Sequence, residues 1–324
     1  MMIDAQQLTR HFTSGSGKKT TVVEAVRELD LQVAEGELVA ILGPNGAGKS
    51  TTLRMLTTLL PPTSGSARVA GVDVTVDPAA VRQRIGYIGQ GNGAGHSYRV
   101  DDELHMQGRF YGLGKAETKA KAAQLMEVLD LDGLSKRKVS TLSGGQRRRL
   151  DIAMGLLHEP NLLFLDEPST GMDPQNRANL WDHVRKIRAE RGSTIVLTTH
   201  YLDEADTMAE RVVVIDEGRV IADDTPERLK VILGGDRIAF GVDISQASAA
   251  EPIARSYARE GEVERTDGDP VRFALRSESG SARLPRLLAD LDHAGVDVRF
   301  AAVNEPTLDD VFLNLTGRSL REND

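Results

Sequence analysis

The stretch ELVAILGPNGAGKS, residues 37–50, decides the fold of this chain. Its first six residues form a short apolar run, which predicts a buried β-strand. The glycine-rich loop that follows matches the pattern G-x-x-x-x-G-K-[ST] in full, and residues 49–60 have the spacing of a helix. A strand, a phosphate-binding loop and a helix in this order predict an α/β phosphate-loop nucleotidase.

The loop contains residue types that are suited to binding phosphate groups. Gly43, Gly46 and Gly48 let the backbone curl so that its N–H groups face phosphate oxygens. Lys49 can then reach the β- and γ-phosphates, and the Ser50 hydroxyl can ligate Mg²⁺. A glycine-rich turn without function is the alternative, which the match of both residues and context disfavours. The predicted ATP-binding residues of this segment are Gly43, Pro44, Asn45, Gly46, Ala47, Gly48, Lys49, Ser50 and Thr51.

Further apolar runs along the chain predict strands that alternate with helices. Such alternation, with strands buried on both faces, predicts a parallel sheet. The predicted strands are RIGYIG (84–89), NLLFLD (161–166), STIVLTTH (193–200) and RVVVID (211–216). Because open α/β sheets bind ligands at the carboxyl ends of their strands, we expect residues at these strand ends to converge on one site.

The side chains expected to converge include two adjacent carboxylates. Asp166 matches the aspartate that supports Mg²⁺ in phosphate-loop nucleotidases, and Glu167 is placed to polarise an attacking water as general base. Asp-Glu-Pro is also an ordinary exit turn, so a solvated strand end is the simpler interpretation for these residues alone. Gln90 and His200 lie at the ends of two other strands, where a single histidine is more often structural than catalytic. Their expected convergence with the phosphate loop favours one shared site.

The segment TLSGGQRRRLDIAMGLL, residues 141–157, has the features of a second anion-binding device. Ser143 is suited to cap a helix, Gly144 and Gly145 permit close approach, and the residues from Gln146 onward have helical spacing. The positive end of a helix favours an anion. A capped helix whose arginines form a solvated face is an equally good interpretation on this basis alone.

The rest of the chain is divided by its composition. Residues 91–160 are charged, helix-favouring and poor in strand patterns, which predicts a helical subdomain inserted into the sheet. After residue 234 the patterns follow the order strand, helix, two strands, helix, strand, which predicts a small α+β domain of the ferredoxin-like type. We therefore expect a nucleotide-binding domain at 1–233 and an accessory domain at 234–324.

Composition excludes several classes of function. The chain has 324 residues and a formal net charge of -8, which argues against nucleic acid as a partner. It has no cysteine, so disulfides and thiolate metal sites are excluded. Residues 1–30 have no apolar signal-peptide core, and no run approaches the roughly 18 apolar residues that a membrane span needs. If the protein acts at a membrane, another chain must provide the span.

Together these motifs resemble the nucleotide-binding subunits of ATP-binding-cassette (ABC) transporters. LSGGQ stands intact at residues 142–146, and the phosphate loop, the strand LLFLDEP, Gln90 and His200 fall in the order of that family. The resemblance covers about residues 3–233. It implies an ATP hydrolase that dimerises head-to-tail, with each nucleotide between the phosphate loop of one subunit and LSGGQ of the other. The residues that would act on the partner's nucleotide are Ser143, Gly144, Gly145 and Gln146.

The resemblance also implies roles that the residues alone leave open. His200 would be catalytic beside Glu167. Phe12 resembles the aromatic residue that stacks on adenine, and Asp173 in STGMDP resembles the aspartate that contacts the other subunit. The implied ligands of Mg²⁺ are Ser50, Gln90 and Asp166.

Three segments bring the chain closer to the ATPase subunits of daunorubicin-resistance-type exporters. They are NGAGKSTTLRMLTTLLPPTSG, STGMDP and PTLDDVFLNLTG (306–317). This likeness implies multidrug or antibiotic efflux, a membrane-spanning permease on a separate chain, and a peripheral position at the cytoplasmic face of the membrane. After Gln90 the sequence GNGAGHSYRVDDE departs from relatives, which commonly have a more apolar stretch there.

Two other interpretations remain. The same ATPase could serve import, or the export of lipid or polysaccharide. A non-transport ABC protein acting on ribosomes or DNA usually has two cassettes, a long coiled-coil insertion or zinc-binding cysteines. The single phosphate loop, the absence of cysteine and the acidic balance disfavour that class.

Overall fold

The computed structural model describes residues 1–14, 21–231 and 235–317, and the chain divides into two compact units. The first unit is Met1–Asp223, and the second begins at Asp224. The domain boundary predicted between residues 233 and 234 lies outside the described residues.

The first unit contains most of the regular structure. Its strands are β1 (Ile3–Ser14), β2 (Thr21–Val33), β3 (Leu38–Leu42), β4 (Ser64–Val69), β5 (Val72–Asp73), β6 (Ile85–Ile88), β7 (Leu162–Asp166), β8 (Thr194–Thr199), β9 (Arg211–Asp216) and β10 (Arg219–Asp224). Its helices are α1 (Lys49–Leu56), α2 (Pro78–Arg84), α3 (Val100–Phe110), α4 (Lys115–Val128), α5 (Gly144–Leu156), α6 (Pro174–Arg191) and α7 (Leu202–Met208).

A six-stranded sheet carries the predicted phosphate loop. Its strand order is β10-β9-β3-β8-β7-β6, and the five strands from β9 to β6 pair in parallel. Every residue of β3, β7 and β8 is buried, because helices or a second sheet cover both faces. The parallel α/β fold predicted from the apolar runs is therefore confirmed, and the carboxyl ends of these strands meet at one edge.

A second sheet, with strand order β2-β1-β4-β5, was not predicted from the sequence. Its pairings are antiparallel, and the β1–β2 and β1–β4 ladders both shift register near Gln7. Gln7 and Glu28 have positive φ angles of 50° and 48°, which mark bulged positions. A bulge interrupts the alternation of apolar and polar residues, and that alternation is the signal by which such strands are recognised.

The helices α3, α4 and α5 lie between β6 and β7 in the chain, as predicted for the inserted helical subdomain. Helix α5 crosses β6 at two glycines. A Cβ on Gly86 would lie 2.4 Å from the Gly155 carbonyl oxygen, and a Cβ on Gly155 would lie 2.8 Å from Ile88 Cδ1. The absence of both side chains lets α5 lie directly against the strand that precedes Gln90.

The second unit is a small α+β domain. Its elements are α8 (Pro226–Val231), β11 (Asp236–Val242), α9 (Ala247–Tyr257), β12 (Val263–Thr266), β13 (Val271–Ser277), α10 (Gly280–His293), β14 (Val298–Asn304) and α11 (Leu308–Thr316). From β11 to β14 the order is βαββαβ, and the antiparallel sheet has the strand order β12-β13-β11-β14. Phe240, Phe273 and Leu287 belong to a hydrophobic core that is made of residues of this unit.

Across residues 1–14, 21–231 and 235–317, no helix combines the length and the apolar character needed to cross a bilayer.

We predict that Gly86→Ala destabilises the first unit by about 1–3 kcal/mol, because the new methyl group would collide with the backbone of α5. Chemical denaturation followed by circular dichroism measures this change. Gly114→Ala is the matched control: φ at Gly114 is -66°, and no atom lies within 4 Å of the added Cβ. That control should change stability by no more than about 1 kcal/mol. Equal effects of the two substitutions would contradict the proposed close crossing.

Candidate nucleotide-binding site

The loop between β3 and α1 has a backbone that requires its glycines. Gly46 and Gly48 have φ angles of 84° and 105°, in the left-handed region that other residues rarely adopt. Gly43 is required for a different reason: a Cβ there would lie 2.2 Å from the Ile215 carbonyl oxygen on β9. Helix α1 begins at Lys49. The strand, loop and helix are thus arranged as the sequence predicted.

Lys49 is the central cation of the site. Its side chain is 4% exposed, and Nζ donates to the carbonyl oxygens of Gly43 at 2.7 Å and Pro44 at 3.1 Å. Nζ also lies 3.3 Å from Glu167 Oε1. Burial lowers the pKa of Lys49, and the facing carboxylate of Glu167 opposes that shift. The ammonium is therefore held at the inner side of the loop, facing the predicted general base.

The three residues implied as metal ligands lie together. Ser50 Oγ donates to Asp166 Oδ1 at 2.8 Å, and Gln90 Nε2 donates to Ser50 Oγ at 3.1 Å. Asp166 is fully buried, and its Oδ1 also accepts from Thr198 Oγ1 at 2.8 Å. A carboxylate, a hydroxyl and an amide supply the hard oxygen donors that Mg²⁺ prefers when nucleotide phosphates complete its coordination. This donor set fits the predicted metal.

Glu167 follows Asp166 and lies between two nitrogen-bearing side chains. Its Oε1 faces Lys49, and its Oε2 lies 3.2 Å from His200 Nδ1 and accepts from Thr170 Oγ1 at 3.3 Å. The residue has a φ of 45°, an uncommon conformation for a side chain of this size. Its own N–H donates to Thr198 Oγ1 at 2.9 Å, which helps to hold this backbone in place.

These groups surround an open cavity of about 150 Å³. Its lining residues are Ala25, Pro44, Asn45, Gly46, Gly48, Lys49, Ser50, Thr51, Gln90 and Glu167. Ala25 was not predicted as a site residue, because it lies on β2 and that strand was not predicted. Phe12 is not among the lining residues; it lies on β1 with its ring partly exposed and the Arg10 guanidinium 5.0 Å from the ring centroid. The structure therefore brings the phosphate-loop, metal and general-base residues together, but Phe12 lies outside the lining of the cavity.

The predicted signature residues form the start of α5. Ser143 Oγ accepts from the Gln146 N–H at 3.2 Å, and the Ser143 N–H donates to Gln146 Oε1 at 3.0 Å, so the two residues form a capping box. Gly144 leaves open space at the helix start, since no atom lies within 4 Å of an added Cβ. None of the described residues that line the cavity belongs to this segment. One chain therefore holds the phosphate loop and the signature at separate places.

Asp173 begins α6 as its N-cap. Oδ1 accepts from the Asn176 N–H at 2.9 Å, and Oδ2 accepts from Asn176 Nδ2 at 2.6 Å. These hydrogen bonds lower the pKa of Asp173. The carboxylate is exposed and ionised at neutral pH, which leaves it accessible to another molecule.

Two buried charged residues near the site were not predicted. Arg148 and Glu204 are 5% and 2% exposed. Arg148 lies among three successive arginines, and no signal in the sequence separates it from its neighbours, since Arg149 also lies one turn before a buried residue, Ala153. Glu204 on α7 accepts hydrogen bonds from Ser169 Oγ and from Thr199 Oγ1, the latter at 2.8 Å, so it ties the turn after β7 to the end of β8.

Comparisons with known proteins agree with this geometry. A family model described as ABC transporter matches residues 26–170. The chain is 44% identical over 305 residues to the daunorubicin/doxorubicin resistance ATP-binding protein DrrA of Streptomyces peucetius, which covers 94% of this chain and 92% of that protein. It is 34% identical over 322 residues to the linearmycin resistance ATP-binding protein LnrL of Bacillus subtilis, which covers 99% of this chain and 100% of that protein.

The chain belongs to the ATP-binding proteins of ABC transporters. The solved structure of cbiO1 from Clostridium perfringens, part of the ABC transporter complex cbiONQ, matches this ABC ATPase with a TM-score of 0.64 and 26% identity. That match covers 72% of this chain and 91% of the other. The predicted family, the fold class and ATP hydrolase activity are therefore confirmed.

We predict that Glu167→Gln abolishes steady-state ATP hydrolysis while ATP binding persists. The amide keeps the shape of the side chain but cannot accept a proton from water. Phosphate release and calorimetric titration with ATP measure the two properties separately. Glu210→Gln is a suitable control, because Glu210 pairs with Arg188 at the surface and does not line the cavity. Wild-type turnover in the Glu167 variant would exclude this residue as the general base.

Proposed function

We propose that this ABC ATPase powers an efflux transporter for antibiotics or other drugs, by acting on a membrane-spanning permease on a separate chain. The observation that supports this is the extent of the match to drug-resistance relatives. The match to DrrA spans 94% of the chain, so it includes most of the second unit as well as the nucleotide-binding unit. Similarity confined to the cassette would support ATP hydrolysis without favouring any cargo.

In the proposed reaction the phosphate loop binds the nucleotide and Lys49 neutralises its phosphate charge. Mg²⁺, when bound, would neutralise charge that develops on the phosphate oxygens. Ser50, Gln90 and Asp166, which lie together, would hold it. Phosphate oxygens compete with the Glu167 carboxylate for the Lys49 ammonium, which leaves that carboxylate available to orient and deprotonate water. His200 keeps Glu167 in place and stabilises its orientation.

The signature acts on the nucleotide of a second copy. The capped start of α5 presents N–H groups and a positive helix end, which are suited to a phosphate group. This surface is separate from the chain's own cavity, so a head-to-tail homodimer supplies both halves of each site. Asp173, exposed at the start of α6, is proposed as a contact between the two copies.

The proposed location is the cytoplasmic face of the cell membrane. ATP is available on that side, and the permease would provide both the membrane span and the path for the substrate. Phe12 on β1 is retained as the proposed adenine-stacking residue, since its ring is exposed on an element adjacent to β2, which reaches the cavity through Ala25.

We predict that Ser143→Arg lowers ATP hydrolysis at least about tenfold and leaves ATP affinity of the single subunit within about twofold. The large cation would block the surface offered to the partner's nucleotide without touching the chain's own phosphate loop. Specific activity of the wild type should also rise with protein concentration, because the active form is the dimer. A specific activity independent of concentration, together with a fully active Ser143 variant, would contradict the shared site.

We predict that the full chain, produced with the membrane protein that co-purifies with it, lowers the accumulation of doxorubicin in host cells. Cell-associated doxorubicin fluorescence measures this transport. Glu167→Gln in the same complex is the matched control, because it should assemble without supporting transport. If the wild-type complex hydrolyses ATP but leaves doxorubicin accumulation unchanged, and instead moves a lipid or polysaccharide, the alternative cargo is correct.

A further inference from the structure

Helix α5 carries an arginine that is buried although it is charged. Arg148 is 5% exposed, and its guanidinium donates to backbone carbonyl oxygens on two separate segments. Nη1 donates to Gly89 at 2.6 Å, and Nε donates to Pro168 at 2.9 Å. A longer hydrogen bond of 3.4 Å joins Nη2 to the carbonyl of Asp166. One side chain thus connects the end of β6 with the turn that carries the predicted general base.

Asp151, on the next turn of α5, holds the loop beyond Gln90. It is 5% exposed, and its Oδ1 accepts from the backbone N–H groups of Gly93 at 3.0 Å and Ala94 at 3.1 Å. Arg148 holds the residue before Gln90, and Asp151 holds residues that follow it. Gln90 therefore lies between two points of attachment on one helix.

The burial of these two charges is not explained by packing alone. Burial lowers the pKa of Arg148 and raises the pKa of Asp151, and the charge of each opposes the shift of the other. Buried charged groups are often no more stabilising than apolar side chains of similar volume, such as Leu150 and Ile152 on the same helix. Charged hydrogen bonds differ from apolar contacts in that they fix the direction and position of the groups they hold.

Glu167 is the residue that most needs such restraint. Its backbone has a φ of 45°, and a conformation of this kind persists only where the surroundings hold it. Thr198 holds its N–H from one side, and Arg148 holds the carbonyl of the next residue, Pro168, from the other. Without the arginine the turn could relax and carry the carboxylate away from Lys49.

We propose that Arg148 and Asp151 are positioning residues, which together form a brace that sets Gln90 and Glu167 at the nucleotide. Neither side chain lines the cavity, so both act through residues that do. Because Ser143 caps the start of α5, the brace also makes one rigid connection between the proposed trans-acting signature and the chain's own catalytic groups.

The test is a double-mutant cycle on the full chain. Arg148→Met is expected to lower kcat at least about tenfold, since a misplacement of about 1 Å can cost up to about 100-fold. The KM for ATP should stay within about twofold, because Lys49 and the phosphate loop are unchanged. When Gln90→Ala is added, kcat should fall little below that of the more impaired single variant, because both substitutions disturb one arrangement. Arg148→Lys, which keeps the charge but not the planar fork, should lie between the wild type and Arg148→Met.

Arg188→Met is the matched control for loss of a partly buried arginine. Arg188 also donates to a backbone carbonyl, that of Gly36 at 2.7 Å, and pairs with Glu210, but at the opposite edge of the sheet. Arg188→Met should leave kcat within about twofold of the wild type. In the double variant with Gln90→Ala, the fold-losses in kcat of the two substitutions should simply multiply.

Two results would overturn the brace. One is a cycle in which the fold-losses in kcat caused by Gln90→Ala and by an Arg148 variant simply multiply. The other is failure of both Arg148 variants to fold, which would assign the residue to stability. The proposed brace rests on the proposed function only because its test measures ATP hydrolysis. A wild-type chain that stays inactive at every protein concentration would contradict the proposed dimer site, whereas an active wild type whose fold-losses in kcat simply multiply in the cycle would refute the brace alone.

Discussion

The buried carboxylate of Asp166 is the contact on which the arrangement of the site depends. It lies at the end of β7 and accepts hydrogen bonds from Ser50 on α1 and Thr198 on β8, with the Tyr87 hydroxyl of β6 at 3.4 Å. A buried carboxyl group is tolerated only where such partners satisfy its oxygen atoms. The phosphate-loop helix and two flanking strands must therefore approach one point, and that requirement sets the position of the loop on the sheet.

Residues that need a particular backbone geometry were predictable from the sequence, because geometry restricts residue type. Gly46 and Gly48 need left-handed backbone angles, and Lys49 and Ser50 follow them at a fixed distance along the chain. The adjoining strands were predictable because complete burial makes each one a continuous apolar run. The antiparallel sheet was not, since the bulge near Gln7 breaks its alternation and leaves exposed polar residues where a strand was not expected.

Arg148 shows a different limit to what can be predicted from the sequence. Its two neighbours in sequence are also arginines, and nothing in composition distinguishes the one that faces the sheet. The distinction comes from the rotation of α5, which is set where Gly86 and Gly155 let the helix lie against β6. That contact depends on two positions far apart in the chain. A solvated arginine face was one of two equally good interpretations of the sequence, whereas the register of one helix on one strand places a single guanidinium inside.

The unusual loop after Gln90 follows from the same packing. Asp151 on α5 binds the N–H groups of residues 93 and 94, and Glu103 on α3, 6% exposed, accepts from the Gly95 N–H at 2.9 Å. A Cβ on Gly95 would lie 2.8 Å from Glu103 Oε1, so a larger residue would push the carboxylate off the backbone. The absence of a side chain at Gly95 thus lets Glu103 hold this loop next to the residues that Asp151 holds. A loop held by its backbone leaves its side chains free to vary, so the surface beyond Gln90 can change while the position of Gln90 stays the same.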